Sequence, residues 1–327
     1  MIEDFEQRIF CFDDDKTFND LAIEAFEYQY AKNEVYNSWC QHIKRLPKDV
    51  KTIKDIPFLP IEFFKNKKVV TSNWEDETFF QSSGTTNQKR SIHHIKSCEL
   101  YIKSCVHSFS NCFGDLKDWC FLVLLPSYQT NKHSSLIFMM DYFVSQTAQN
   151  HSDFFNQDID LLIQTLISNE QNGVKTILFG VSYALLDVIE RQNLNLKHLI
   201  VFETGGMKGM RQEITKEELH LKLCDGFNVR NICSEYGMCE LMSQAYSTGE
   251  GIYQTPPQMR VMIRDVNDPF SWSGTTKGAI NVIDLANIHS CCFIETADLA
   301  ERKSDRAFRL LGRLDYSDIR GCNLLYL

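Results

Sequence analysis

A chain of 327 residues, 43% hydrophobic and 24% charged, carries enough apolar surface for one large domain or two ordinary ones. Its formal net charge of −9 disfavours a surface built to hold nucleic-acid backbone. No apolar run approaches the roughly 20 residues that span a bilayer, and the acidic start MIEDFEQRIFCFDDDK lacks the basic-then-apolar order of a secretory signal.

Residues 1 to 45 read as helical, because Phe18, Leu21, Ala22, Ala25, Phe26 and Tyr30 recur near a 3.6-residue period. Pro47, Pro57 and Pro60 then interrupt the chain. The apolar content of IPFLPIEFFK predicts an extended segment packed on the core, not a linker. Strand-like pieces follow around Val69 and Phe79. Ile95 to Phe113 is predicted to be a helix, and FLVLL at Phe121 to Leu125 a buried strand ended by Pro126. Next come helices over Leu136 to Val144 and Ile159 to Ser168, and a strand TILF at Thr176 to Phe179. A helix over Ala184 to Arg191, a strand LIVF at Leu199 to Phe202, a helix over Lys216 to Leu223 and a strand over Val229 to Cys233 complete the run.

This alternation predicts an α/β fold with a mostly parallel sheet and flanking helices. From Met259 onward the pattern changes to strands at Met259 to Ile263, Ala279 to Ile283, Cys292 to Glu295 and Phe308 to Leu311, separated by short turns. The expected organisation is a helical and extended segment packed on the core over 1–60, an α/β core over 61–258, and a β-rich subdomain with a C-terminal tail over 259–327.

Twelve cysteines raise a metal or disulfide reading, which their spacing opposes: there is no C-x-x-C, and Cys291 and Cys292 are adjacent. Cys98, Cys105 and Cys112 recur every seven residues, near one helix face, as small core residues do. So many free thiols suit a reducing cytoplasm.

Ligands of open α/β sheets gather beyond the carboxyl ends of the strands. Three post-strand turns here carry unusual chemistry. The first is FFQSSGTTNQKR at Phe79 to Arg90, in which Ser82, Ser83, Gly84, Thr85 and Thr86 offer hydroxyl and backbone donors and Lys89 and Arg90 offer charge, a composition suited to phosphate. It matches neither the Walker A pattern nor the dinucleotide fingerprint. The second turn is Glu203-Thr204-Gly205-Gly206, where paired glycines let backbone approach a ligand. The third is Ser234 to Glu240, SEYGMCE, in which Tyr236 can stack on a base and Glu240 can hold magnesium beside phosphates. His93 and His94, isolated after the first loop, read more readily as surface or satisfied core residues than as ligands.

The ordered segments SSGTT, EYGMCE, ETADL (Glu295 to Leu299) and LGRLDYSDI (Leu311 to Ile319) resemble those of adenylate-forming enzymes. IPFLPIEFFK, ETGGMKG, EYGMCELMSQAYS and GRLDYSDIRGCNLL are similar to the LuxE-type acyl-protein synthetases in particular. The resemblance spans residues 55 to 327 and implies ATP-dependent conversion of a carboxylic, fatty-type acid to an acyl adenylate, with Mg2+, followed by transfer to a thiol.

It places Ser82 to Thr86 and Lys89 around the ATP phosphates, Gly205 and Gly206 along the adenine pocket, and Tyr236 with Gly237 beside adenine. It makes Glu240 the magnesium carboxylate, Asp298 and Arg313 the ribose contacts, and Cys322 in IRGCNLLYL the acylated thiol. The implied partners are the acid and an acceptor protein such as an acyl reductase, with no nucleic acid and no membrane span. Asn87, Cys239 and Ala297 depart from the usual residues of the motifs. The lysine-bearing domain that follows the hinge in most adenylate-forming enzymes is replaced by a short tail, as in LuxE-type chains. A non-catalytic acyl or nucleotide binder, and an acyltransferase of surface-polymer synthesis, stay open at this level.

Overall fold

The structure, a computed structural model, describes residues 2–82, 89–126, 133–148, 152–155, 158–205, 210–212 and 214–314. Two compact units make up the chain, one formed by residues 1–75 with 257–327 and the other by 76–256. The α/β class expected from the alternation is what forms.

The first unit starts with helices α1 (Ile2–Arg8), α2 (Asp15–Lys32) and α3 (Glu34–His42), in place of the predicted helical stretch. Asp14 caps α2, its carboxylate accepting from Thr17 N at 2.8 Å. Asn33 both ends α2 and caps α3 by accepting from Tyr36 N at 2.9 Å. The proline-rich segment is extended and docked, as expected. It carries the short strand β1 (Leu59–Pro60) and the single turn α4 (Phe63–Asn66). The Pro57 carbonyl accepts from Tyr36 Oη at 2.6 Å, and that of Phe58 accepts from Trp39 Nε1 at 2.9 Å. The strand expected around Val69 does not form. That stretch is held instead by single hydrogen bonds, the Val69 carbonyl accepting from Ser290 Oγ at 2.9 Å and Thr71 N donating to the His289 carbonyl at 2.8 Å.

The second unit opens with an antiparallel hairpin of β2 (Thr78–Gln81) and β3 (Ile92–Ile95), followed by α5 (Cys98–Phe113). Sequence pattern ran α5 back to Ile95, but Ile95 closes β3 and Ser97 caps the helix, accepting from Leu100 N at 3.1 Å. Then come β4 (Cys120–Leu124), α6 (Ser135–Gln146), β5 (Asp153–Phe154), α7 (Ile159–Gln171), β6 (Thr176–Val181) and α8 (Ser182–Arg191). The unit ends with β7 (Leu199–Thr204), α9 (Lys216–Phe227), β8 (Ile232–Tyr236), β9 (Ala245–Ser247) and β10 (Ile252–Gln254). Strands β5, β4, β6, β7 and β8 pair in that order and in parallel, with β9 and β10 added antiparallel at the β8 edge. Every residue of β4 and β6 is buried, as a strand covered on both faces requires. A capping box of Thr215 and Glu218 starts α9, and Asn228 in the left-handed region (φ 53°) stops it.

The chain then returns to the first unit in an antiparallel ladder of β11 (Met259–Arg264), β12 (Lys277–Asp284), β13 (Phe293–Arg302) and β14 (Ala307–Arg313), with β1 parallel to β13. Gln29 fastens α2 to this ladder. Its fully buried Nε2 lies 3.0–3.3 Å from the carbonyls of Asn287, Ile288 and Ser290, and its Oε1 accepts from Cys292 N at 2.9 Å. The Phe293 ring beneath stacks on Tyr36 at 5.9 Å and meets Phe26 and Phe58 edge-on. Gln29→Leu strands these backbone groups out of reach of water. It should therefore cost about 2–4 kcal/mol in urea denaturation, although the substitution adds apolar bulk.

Candidate active site

The carboxyl ends of β7 and β8 hold a buried polar cluster. Glu203, 6% exposed, ends the apolar run of β7 and sits between two strands and two helices. Its carboxylate accepts from Ser234 Oγ at 2.6 Å, from Ser182 Oγ at 3.3 Å and from His220 Nε2 at 3.3 Å, and pairs with Lys216 Nζ at 2.8 Å. Lys216 and His220 are one turn apart on α9, so a single helix face delivers both. Lys216 also donates to Tyr253 Oη at 2.5 Å. Burial by itself raises a carboxyl pKa. Here the His220 hydrogen bond, the Lys216 charge and Ser234 override it and hold Glu203 at about 2.

The neighbouring carboxyl behaves in the opposite way. Glu235 is half-buried, and its Oε2 accepts from Thr204 Oγ1 at 3.4 Å. No cation among the described residues lies within ion-pairing distance. Burial pushes its pKa up to about 7; the Thr204 hydroxyl and the charge of Lys216 oppose that rise and the charge of Glu203 adds to it. A Cβ at Gly237 would fall inside the contact distance of Glu235 Oε1, so the glycine makes room for the carboxylate.

The predicted site residues fall into three groups. Gly205 is exposed in the turn after β7, with φ +72° in the left-handed region. Tyr236 is 6% exposed, with its ring edge-on to Tyr253 at 6.0 Å. Glu240 is 5% exposed, and the pKa of the adjacent Cys239 thiol is pushed up by burial and then by the Glu240 charge. Ser82 closes the base of the β2–β3 hairpin, Oγ accepting from Ser91 N at 3.0 Å, and Lys89 is exposed on its far arm. His93 is the satisfied core residue expected: its Nδ1–H donates to the Cys239 carbonyl at 2.7 Å, which ties the hairpin to the turn bearing Glu240. His94 pairs with Asp76 at 2.5 Å.

The second group lies in the first unit. Asp298 and Arg313 face each other across β13 and β14, with Nε to Oδ1 at 3.8 Å. The Arg313 side chain is 71% exposed, so its guanidinium is open to a ligand. The third group, Ser83, Gly84, Thr85, Thr86, Gly206 and Cys322, lies outside the described residues. Sequence reading missed Glu203, Lys216, His220 and Glu235. A charge ending an apolar strand and a Lys/His pair at i,i+4 were the available signals. Among the described residues no group of three or more His, Cys, Asp or Glu is arranged to hold a metal.

Two outcomes follow. Between pH 4.5 and 7 folded Glu235 binds more protons than the unfolded chain, so its contribution to stability falls as pH rises through that window. Glu235→Gln should therefore gain on the unsubstituted protein across it, by up to about 3 kcal/mol, in denaturation series at fixed pH. Lys216→Met withdraws the charge that compensates Glu203 and should cost about 3–5 kcal/mol at neutral pH. That deficit should narrow in acid, because Glu203 held at a low pKa adds stability above pH 4.5 and loses it as pH falls toward 2.

The chain and its fold have known relatives. The chain is 35% identical, over 344 aligned positions, to the long-chain-fatty-acid–luciferin-component ligase of Aliivibrio fischeri, with 96% of this chain and 89% of the relative covered. Its fold is that of 2-hydroxyisobutyryl-CoA ligase in complex with an acyl-AMP, at a TM-score of 0.68 and 12% identity, over 92% of this chain and 68% of that one. The O-succinylbenzoate coenzyme A synthetase of Bacillus subtilis, solved with ATP and magnesium ion, superposes with a TM-score of 0.52 at 18% identity, over 74% of this chain and 53% of that one. The model of the family described as acyl-protein synthetase, LuxE, matches residues 9–326, and the chain belongs to that family.

Proposed function

We propose that this chain converts a carboxylic acid and ATP to an acyl adenylate and pyrophosphate, then passes the acyl group to the thiol of Cys322 and on to an acceptor protein. The observation that carries the reading is the joining of two motif turns in one unit. The hairpin that bears the Ser/Thr loop is hydrogen-bonded, through His93, to the turn that bears Tyr236, Gly237 and Glu240.

In the first step a carboxylate oxygen attacks the α-phosphorus and the bond to pyrophosphate breaks. The hydroxyl and backbone donors of Ser82 to Thr86, with Lys89, receive the charge on the phosphate oxygens. Gly205, Gly206 and Tyr236 enclose the adenine, and Asp298 and Arg313 hold the ribose. Glu240 is a buried carboxylate, the hard oxygen donor that a magnesium ion takes. Bound there, magnesium supplies charge neutralisation at the phosphates. In the second step the Cys322 thiolate attacks the acyl carbonyl and AMP leaves, Arg320 favouring the thiolate. The eleven unpaired cysteines among the described residues suit the reducing cytoplasm in which such a thiol survives. No helix among the described residues is long and apolar enough to cross a membrane.

Pyrophosphate exchange across a panel of acids tests the first step. Exchange is expected with ATP and magnesium, and Glu240→Gln should lower it about 100-fold. Cys322→Ser should keep exchange but abolish the acyl adduct in intact-mass spectra. Exchange with no acid overturns the reaction, and an adduct that survives Cys322→Ser overturns the thiol.

A further inference from the structure

The two faces of the β7–β8 pair carry different chemistry. Side chains alternate along a strand, and the parallel register sets Glu203 beside Ser234. Glu203, Ser234 and Tyr236 therefore share one face, where Ser182 of α8, Lys216 and His220 of α9 and Tyr253 of β10 meet them. Thr204 and Glu235 share the other, and the hydrogen bond between them confirms that they point the same way.

Below Thr204 and Glu235 lies an aromatic layer. Phe202 packs at 5.0 Å from Phe113 and 5.9 Å from Tyr246, and Tyr101 packs at 4.8 Å from Phe80 and 5.9 Å from Phe138. The antiparallel register sets Glu235 opposite Tyr246, at the edge of this layer. Neither phenol serves it. Tyr101 Oη donates to the Ser135 carbonyl at 3.0 Å, and Tyr246 Oη points to Met139 Sδ at 3.8 Å. The Thr204 hydroxyl, at 3.4 Å, is the hydrogen-bond donor to Glu235 among the described residues.

Glu235 is a half-buried carboxyl with one long hydrogen bond and no ion pair among the described residues, at the ligand-gathering end of a parallel sheet, so it has acceptor capacity left for a ligand. The proposed adenylation brings two ligands here. Adenine belongs to the face of Tyr236, so the acid is left for the face of Glu235, with its carbon chain against the aromatic layer. We propose that Glu235, with Thr204, is a specificity determinant for the acid, accepting a hydrogen bond from an O–H or N–H group on its chain, so that the preferred substrate is a hydroxy- or amino-substituted carboxylic acid and not its unsubstituted alkyl counterpart. This rests on the reaction proposed above and assigns the substrate class of the same site.

The test uses the full chain and length-matched sets of unsubstituted, hydroxy- and amino-substituted alkanoic acids. Pyrophosphate exchange should favour a donor-bearing acid over its plain counterpart by about 100-fold or more, because a site built to bind a donor rejects an analogue that lacks it. Glu235→Leu should remove the preference or invert it. Glu235→Gln keeps an acceptor but no charge, so a retained preference assigns a hydroxy acid and a lost one an amino acid. Thermal shift with each acid and no ATP provides a readout independent of catalysis. Stabilisation of the unsubstituted protein by donor-bearing acids, absent in Glu235→Leu, supports the assignment even if exchange is not seen, and in that case only the reaction fails. Equal use of plain and substituted acids by the unsubstituted protein, a preference that Glu235→Leu leaves unchanged, or no selective thermal shift overturns it.

Discussion

The carboxyl ends of β7 and β8 are held to their neighbours by one buried charge. Placing the Glu203 carboxylate out of water costs several kcal/mol unless it is paired and hydrogen-bonded. It draws its compensation from Ser182 at the start of α8, Ser234 on β8, and Lys216 and His220 on α9. The carboxylate is thus a joint between β7 and three other elements, and it fixes where the Thr204–Gly205 turn leaves the sheet. An apolar residue at 203 would pack against α8 and α9 just as well but would not specify that exit.

The same register that turns Glu203 toward α8 and α9 turns Thr204 and Glu235 toward α5 and α6, and here the energetics reverse. Glu203 is kept ionised by its neighbours, whereas burial pushes Glu235 up to about 7. Adjacent strand positions thereby give one carboxyl a structural task and leave the other under-served. Pairs of titratable groups driven apart by their surroundings characterise functional sites. Gly237 belongs to this arrangement, because any side chain there would displace the Glu235 carboxylate.

In the first unit the comparable device is an uncharged amide. Gln29 is wholly buried, yet every polar atom it carries meets backbone of the segment between β12 and β13. That segment leads directly into β13, whose Asp298 stands opposite Arg313. The helical N-terminal stretch, which carries none of the motif residues, therefore sets the backbone from which Asp298 projects.

Local pattern in the chain was enough for much of this. Apolar runs such as FLVLL and TILF bury on both faces wherever they are placed, so β4 and β6 follow from composition alone. The 3.6-residue period of α2 and the chemistry of the turns after β7 and β8 are likewise local, and so were the motif residues Gly205, Tyr236 and Glu240. What needed tertiary structure was every property that depends on a partner distant in sequence. Val69 looked like a strand, but Ser290 claims its carbonyl. Isolated in sequence, His93 clamps Cys239, 146 positions away. Glu203 and Glu235 are indistinguishable as letters beside a strand, and the pairing of β7 with β8 gives Glu203 the ion pair with Lys216 and Glu235 none among the described residues, because pleat and register decide which face each side chain joins.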